Sequence, residues 1–153
     1  MSKRTKIIRT TTIPTSLNTF CRGLLRELEE QDGYEVVAVS SPDKDLEEIA
    51  EREGVRTVAV PMHREISLLN DLKSLWGLIK VFRKEKPTMV HSMTPKAGLL
   101  SMMAAWVCRV PVRLHTFTGL VFPTYNEIAA QAKRVIKIID GKIVQDSGEE
   151  KEE

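Results

Sequence analysis

With 153 residues, 42% hydrophobic and 29% charged, the chain has the make-up of one globular domain able to bury a core without staples. Eight glycines and seven prolines exclude a fibrous or wholly disordered chain, and a formal net charge of +2 is too near neutral to indicate a nucleic-acid partner. Cys21 and Cys108 stand far apart with no CxxC and no nearby histidine, so no disulfide, zinc or other metal site is expected and a cytoplasmic setting follows. The basic start is followed only by Ile7-Ile8, too little for a signal peptide. The longest apolar run, residues 97–108, is too short for a membrane span.

In chain order, Lys6 to Thr11 is a β-prone run, and Leu17, Phe20/Cys21, Leu24 and Leu28 then repeat at the spacing of one helix. Glu35 to Ser40 is a second strand. Ser41 as N-cap, Pro42 at the first helical position and Asp43, Asp45 and Glu47 in the early turns open a helix that Gly54 closes. Val55 to Val60 is a third strand. A longer helix follows, its apolar face made of Leu68, Leu72, Leu75, Ile79 and Phe82, and Pro87 stops it. Thr88 to His91 is a fourth strand, Lys96 to Val107 a helix apolar nearly all round, and Val112 to His115 a fifth strand. Strands separated by helical stretches imply right-handed crossovers and a parallel sheet. The expected class is α/β: a Rossmann-like, doubly wound parallel sheet of about five strands with helices on both faces.

The end of the chain reads differently. Residues 126–133 suggest a short helix, and two apolar runs flank Asp140-Gly141, a strong hairpin signal. An acidic tail follows. Charges divide as +4 up to Thr124 and −2 beyond it. Two segments are therefore expected, a Rossmann-like domain over 1–124 and a helix, hairpin and acidic tail over 125–153.

No G-x-G pair and no G-x-x-x-x-G-K-[ST] loop occurs, which disfavours a dinucleotide-dependent dehydrogenase or a self-sufficient ATPase. Ligands of open α/β sheets bind at the carboxyl ends of the strands, and those ends are polar here. After the first strand, Thr10 to Ser16 is rich in hydroxyls and leads into a helix N-terminus, which suits an anion; simple capping by Thr15 or Ser16 is the alternative. After the third come His63 and Arg64. After the fourth, His91, Thr94 and Lys96 precede a helix at whose N-terminus a lysine is unfavourable unless an anion offsets it, or unless it snorkels to solvent. After the fifth come His115, Thr116, Thr118 and Gly119; a histidine there can take a proton from a substrate hydroxyl near neutral pH. Opposite its apolar stripe the long helix carries Lys73, Lys80, Arg83, Lys84 and Lys86, a face fit for anionic lipid headgroups or merely for solvent.

The stretches Thr10 to Leu17, Pro61 to Ser67, Val90 to Gly98 and Val112 to Gly119, in this order, resemble the N-terminal, acceptor-side half of a GT-B glycosyltransferase of the family 4-like kind found in bacterial polysaccharide gene clusters. The resemblance covers about residues 6–124. It implies transfer of a sugar from a nucleotide-sugar co-substrate, without a cofactor or metal, to an acceptor that is often polyprenyl-phosphate-linked, and peripheral association of a cytoplasmic protein with the anionic inner membrane. Carried over, it makes His115 the catalytic candidate. It makes Thr11, Thr12, Thr15, Ser16, Arg64, His91, Thr94, Lys96, Thr116, Thr118 and Gly119 the candidates for holding acceptor or phosphate. The second Rossmann-like half that carries the donor site in such enzymes does not follow Thr124. Residues 125–147 instead resemble the last segment of an ATP-binding-cassette ATPase, without its phosphate loop, signature motif or catalytic glutamate. The expectation is a transferase half that is truncated, inactive alone and dependent on a donor-domain polypeptide; the alternative is a non-catalytic Rossmann-like module or a functionless fusion.

Overall fold

A computed structural model describes residues 4–31, 33–65, 67–118, 136–139 and 142–146. The chain divides into two compact units, residues 1–118 and 119–153.

The first unit is a five-stranded sheet in the order β3-β2-β1-β4-β5, with every pairing parallel. Its strands are β1 (Thr5–Thr10), β2 (Tyr34–Ser40), β3 (Arg56–Ala59), β4 (Met89–Met93) and β5 (Val112–Thr116). The helices are α1 (Pro14–Phe20), α2 (Leu24–Glu30), α3 (Lys44–Glu53), α4 (Leu68–Glu85) and α5 (Pro95–Val107). This is the expected doubly wound α/β architecture, and its strand order reverses between β1 and β4.

Strand alternation sorts the core into two layers. On one face Ile8, Val37, Val39 and Val90 meet Leu78, Ile79 and Phe82 of α4 and Leu100 and Ala104 of α5. On the other, Val36 and Ala38 meet Leu17, Cys21 and Leu25, with Leu46 and Ile49 of α3.

Three local expectations change. The helix read from Leu17 to Leu28 is two helices, broken where Gly23 takes φ +78°. The buried glutamate Glu53 accepts hydrogen bonds from the Gly23 and Arg26 amides at the start of α2. The N-cap of α3 is Asp43, which accepts from the Lys44 amide, so Ser41 and Pro42 precede the helix. Ser41 instead bonds the carbonyls of Thr12 and Met62, tying the loops after β1 and β3 together. Gly54 does close α3, in the left-handed conformation at φ +65°. Finally, Leu68 and Leu72 of the stripe assigned to the core side of α4 are 85% and 65% exposed; Ser74, Leu78, Ile79, Phe82 and Glu85 take the buried positions.

Buried Glu85 ties the amino-terminal edge of the sheet. Lys6 Nζ of β1 lies 2.8 Å from its carboxylate and Arg56 Nη2 of β3 lies 2.6 Å from it, while both cations also reach Glu35 of β2. Hydrogen bonding from Arg56, outweighing the opposing effect of burial and helped by Lys6, pulls the Glu85 carboxyl from 4.5 down to about 2. A depressed carboxylate stabilises the fold fully above its unfolded value, and that contribution fades as pH falls from about 4.5 towards 2. Denaturant titrations across this window should show a loss on the order of 1–3 kcal/mol in the parent. Glu85→Gln should be weaker at pH 7 and lose less of its remaining stability on acidification.

In the second unit, β6 (Ile136–Ile139) and β7 (Lys142–Asp146) pair antiparallel, with Ile139 opposite Lys142, which is the expected hairpin around Asp140-Gly141. A register irregularity falls between Lys137 and Ile138. The helix expected over 126–133 lies outside the described residues.

Candidate functional site

At the carboxyl edge, where the strand order reverses between β1 and β4, an open groove of about 570 Å³ is lined by Thr12, Ile13 and Ser16 after β1, Arg64 after β3, and Asp71 in the first turn of α4. Thr94, Pro95, Lys96, Leu99 and Leu100 complete it from the start of α5. This is the position at which open α/β sheets bind ligands.

The groove's geometry rests on two threonines. The Thr94 hydroxyl accepts from the Thr12 amide at 3.1 Å and lies 2.8 Å from the Thr12 hydroxyl. Thr12 Oγ1 in turn accepts from the Ala97 amide at 3.2 Å. Thr12 therefore caps α5 across the strand gap. Thr94, at the N-cap position, is held at φ +70°, ψ +140°, a conformation that costs a β-branched residue about 1–3 kcal/mol.

Lys96 does not stand alone at the N-terminus of α5. Its Nζ donates to Asp71 Oδ1 at 2.8 Å and to the Glu65 carbonyl. The anion that offsets the cation in the free protein is thus a carboxylate of the chain itself. The hydrogen bond from Lys96, with help from the Ser67 amide and against desolvation, holds the Asp71 carboxyl below its usual value. Arg64 is exposed and has no hydrogen bond or ion pair among the described residues.

Of the sequence candidates, the groove gathers Thr12, Ser16, Arg64, Thr94 and Lys96. Thr11 is buried, bonding the Ile13 carbonyl and Ser40, and so shapes the loop. Thr15 is exposed and donates to Asp45. Thr118 is half-buried, and Gly119 lies outside the described residues.

His115 and His91, read together as a strand-end pair, lie on opposite faces of the sheet. His115 pairs in register with Ser92 and faces α5. Its Nδ1 is 2.9 Å from Ser92 Oγ, and its ring meets Phe117 edge-on at 4.5 Å. Burial pulls its pKa down, a hydrogen bond with the Ser92 backbone opposing, so the ring is neutral near pH 7. It does not line the groove. It packs against Gly98, in the same first turn of α5 that supplies Lys96. A Cβ at Gly98 would stand 2.4 Å from His115 Cε1 and 2.7 Å from Nδ1.

Gly98→Ala should therefore displace the imidazole. Overpacking of about 1–3 kcal/mol should outweigh alanine's better helix propensity of about 1 kcal/mol. A lowered urea midpoint together with a His115 titration moved up towards its ordinary range would verify the contact.

Beside the groove, the packed helices α4 and α5 each expose an apolar strip. Leu68, Leu69, Leu72 and Trp76 come from α4; Leu99, Met103 and Trp106 come from α5 at spacings of four and three. Leu99 belongs to both strip and groove. Lys80 lies 5.9 Å from the centre of the Trp76 ring, and exposed Lys73, Arg83 and Lys84 share α4. No described helix is long and apolar enough to cross a membrane. The groove residues not named from the sequence are Ile13, Asp71, Pro95, Leu99 and Leu100. Only the i, i+4, i+7 spacing of Leu99, Met103 and Trp106 hinted at a shared face.

The chain is 38% identical over 122 residues to the capsular polysaccharide biosynthesis glycosyltransferase CapM of Staphylococcus aureus, covering 80% of this chain and 31% of that protein. It is 42% identical over 71 residues to the UDP-Gal:alpha-D-GlcNAc-diphosphoundecaprenol alpha-1,3-galactosyltransferase of Escherichia coli, covering 46% of this chain and 18% of that one. It thus spans less than a third of either relative. Acinetobacter baumannii MurG superposes with a TM-score of 0.63 at 14% identity, over 84% of this chain and 40% of MurG, a likeness of fold. A family model described as a glycosyl transferase 4-like domain matches residues 16–146. That match runs across the segment likened to an ATP-binding-cassette ATPase, and the comparisons give the ATPase likeness no support. Matched over most of its length, the chain belongs to the glycosyl transferase 4-like domain family.

Proposed function

We propose that this chain is the acceptor-side half of a GT-B glycosyltransferase of bacterial polysaccharide synthesis, and that its groove holds the diphosphate of a lipid-linked acceptor. The observation that carries the reading is the meeting, at Leu99, of a cationic groove and an exposed apolar strip. A diphosphate would sit against Arg64 and Lys96, and its prenyl chain would leave over Leu99 towards Met103 and Trp106. The basic residues of α4 would then face the anionic headgroups of the inner membrane, to which a cytoplasmic protein would bind peripherally. The galactosyltransferase relative, named for a diphosphoundecaprenol acceptor, is consistent with this.

The nucleotide-sugar would come from a donor half outside these residues, on the same or another polypeptide, with no metal or cofactor required. As the acceptor hydroxyl attacks the anomeric carbon and the nucleoside diphosphate leaves, a base must take the hydroxyl proton. His115 is the residue assigned to that step. Its ring is neutral, Nδ1 is engaged by Ser92, and Nε2 has no partner among the described residues. The acceptor sugar would have to reach past the first turn of α5 to meet it.

Calorimetric titration of the full chain with geranyl diphosphate and with UDP tests the assignment. The prenyl diphosphate should bind at concentrations where UDP does not. UDP binding without prenyl diphosphate binding would reject the acceptor-side reading, and indifference to both would favour a non-catalytic module.

A further inference from the structure

On the face of the sheet opposite His115, Arg9 of β1 is only 7% exposed, yet it meets no carboxylate among the described residues. Nη1 donates to His91 Nδ1 at 2.6 Å, Nη2 points at Cys21 Sγ and Met93 Sδ, and Nε has no partner. A buried arginine without an anion is costly and is not explained by stability.

Its hydrogen bond dictates the state of its neighbour. Arginine only donates, so His91 Nδ1 must accept and the proton of the neutral ring sits on Nε2. Nε2 lies 2.7 Å from Thr116 Oγ1, to which it therefore donates. With that lone pair used, the Thr116 hydroxyl is left to donate outwards, and Thr116 is exposed at the carboxyl end of β5. Burial, then the Arg9 charge, then His115, hold His91 down at about 4, so the chain of donors stays set at neutral pH. The groups facing the ring are Arg9 on β1, Thr116 on β5 and, through Arg9, the Cys21 thiol after α1, while His115 acts on it only through space from the other face of the sheet.

We propose that Thr116 is the contact point of an oxyanion site, and that buried Arg9 is its positioning residue, acting through His91 and leaving its positive charge uncancelled until a phosphate or similar anion arrives. The site is separate from the groove and does not depend on the acceptor reading.

NMR of the full chain with ring-nitrogen labelling of histidine tests it, with pyrophosphate as the probe. His91 of the unliganded protein should be the Nε2–H tautomer and remain uncharged at pH 6. Pyrophosphate should shift the His91 Nε2 and Thr116 signals. Arg9→Met should weaken that response at least fivefold while leaving Tm unchanged or higher, and Lys96→Met should not alter it. An Nδ1–H tautomer, a charged His91 at pH 6, or unperturbed His91 and Thr116 signals at saturating pyrophosphate would overturn the proposal. So would a response retained in Arg9→Met, or a lowered Tm in that variant with the anion response intact. If Arg9→Met fails to fold, the tautomer and the pyrophosphate shifts of the unaltered protein decide, with Thr116→Val expected to lose the response and Thr116→Ser to keep it.

Discussion

Phe82→Ala is expected to lower the unfolding free energy by about 3–5 kcal/mol. Phe82 is among the largest fully buried side chains and stands where α4 meets Ile8 and Val90 of the central strands. Alanine would leave a cavity that Leu78, Ile79 and Val37 cannot close without leaving their own contacts. Set against the ~5–15 kcal/mol typical of a domain, that loss is a large share of the whole. Urea denaturation should show a lower midpoint with an unchanged slope, because the surface exposed on unfolding is the same. The same helix carries Asp71 at its other end, so loosening this anchor should also weaken the groove.

Lys96→Met is expected to reduce prenyl diphosphate affinity about 10–100-fold, the range that follows from losing a charged hydrogen bond of ~1.5–3 kcal/mol. Two effects add. The groove loses one of its two cations, and Asp71, which Lys96 now neutralises at 2.8 Å, is left facing the diphosphate. Asp71→Asn should act in the opposite direction, because it frees the ammonium at no cost in cations. Titrations of both variants with geranyl diphosphate at two salt concentrations give the comparison, and the difference should shrink at the higher salt. Equal affinity in the parent and Lys96→Met would remove Lys96 from the site.

The sheet was legible because β-branched runs at Lys6 to Thr11, Glu35 to Ser40 and Val112 to His115 are separated by stretches of helical period, and because Gly54 and Asp140-Gly141 mark a helix end and a hairpin without ambiguity. Periodicity failed where two faces compete. The spacing of Leu17, Phe20/Cys21, Leu24 and Leu28 ran unbroken across the Gly23 turn and concealed it, whereas beyond that turn Leu25 is buried and Leu24 is exposed. In α4 the leucines at 68 and 72 keep helical spacing with the core residues but are exposed, so spacing alone could not reveal an exposed strip.

The polar strand ends were visible as a place for chemistry, and five of the named candidates do line one groove. The division of His91 from His115 was not visible. It is set by strand register, since a one-residue offset between β4 and β5 sends a side chain to the other face. Asp71 was hidden for a similar reason. An acid in the first turn of a helix already has a role beside the macrodipole, and only the tertiary approach of α5 turns it into the counter-ion of Lys96. Arg9 sits inside the β-prone run from Lys6 to Thr11, and strand propensity alone gives no sign that its side chain is buried.

The proposed role of the groove between the β1 and β4 loops is to receive a lipid-linked diphosphate. Backbone amide NMR of the full chain titrated with geranyl diphosphate tests it most directly. The largest shifts should fall on Thr12, Ser16, Arg64, Thr94 and Lys96, with Leu99, Met103 and Trp106 following as the prenyl chain is lengthened. Shifts confined to the face of α1 and α3, or none at saturating ligand, would contradict it.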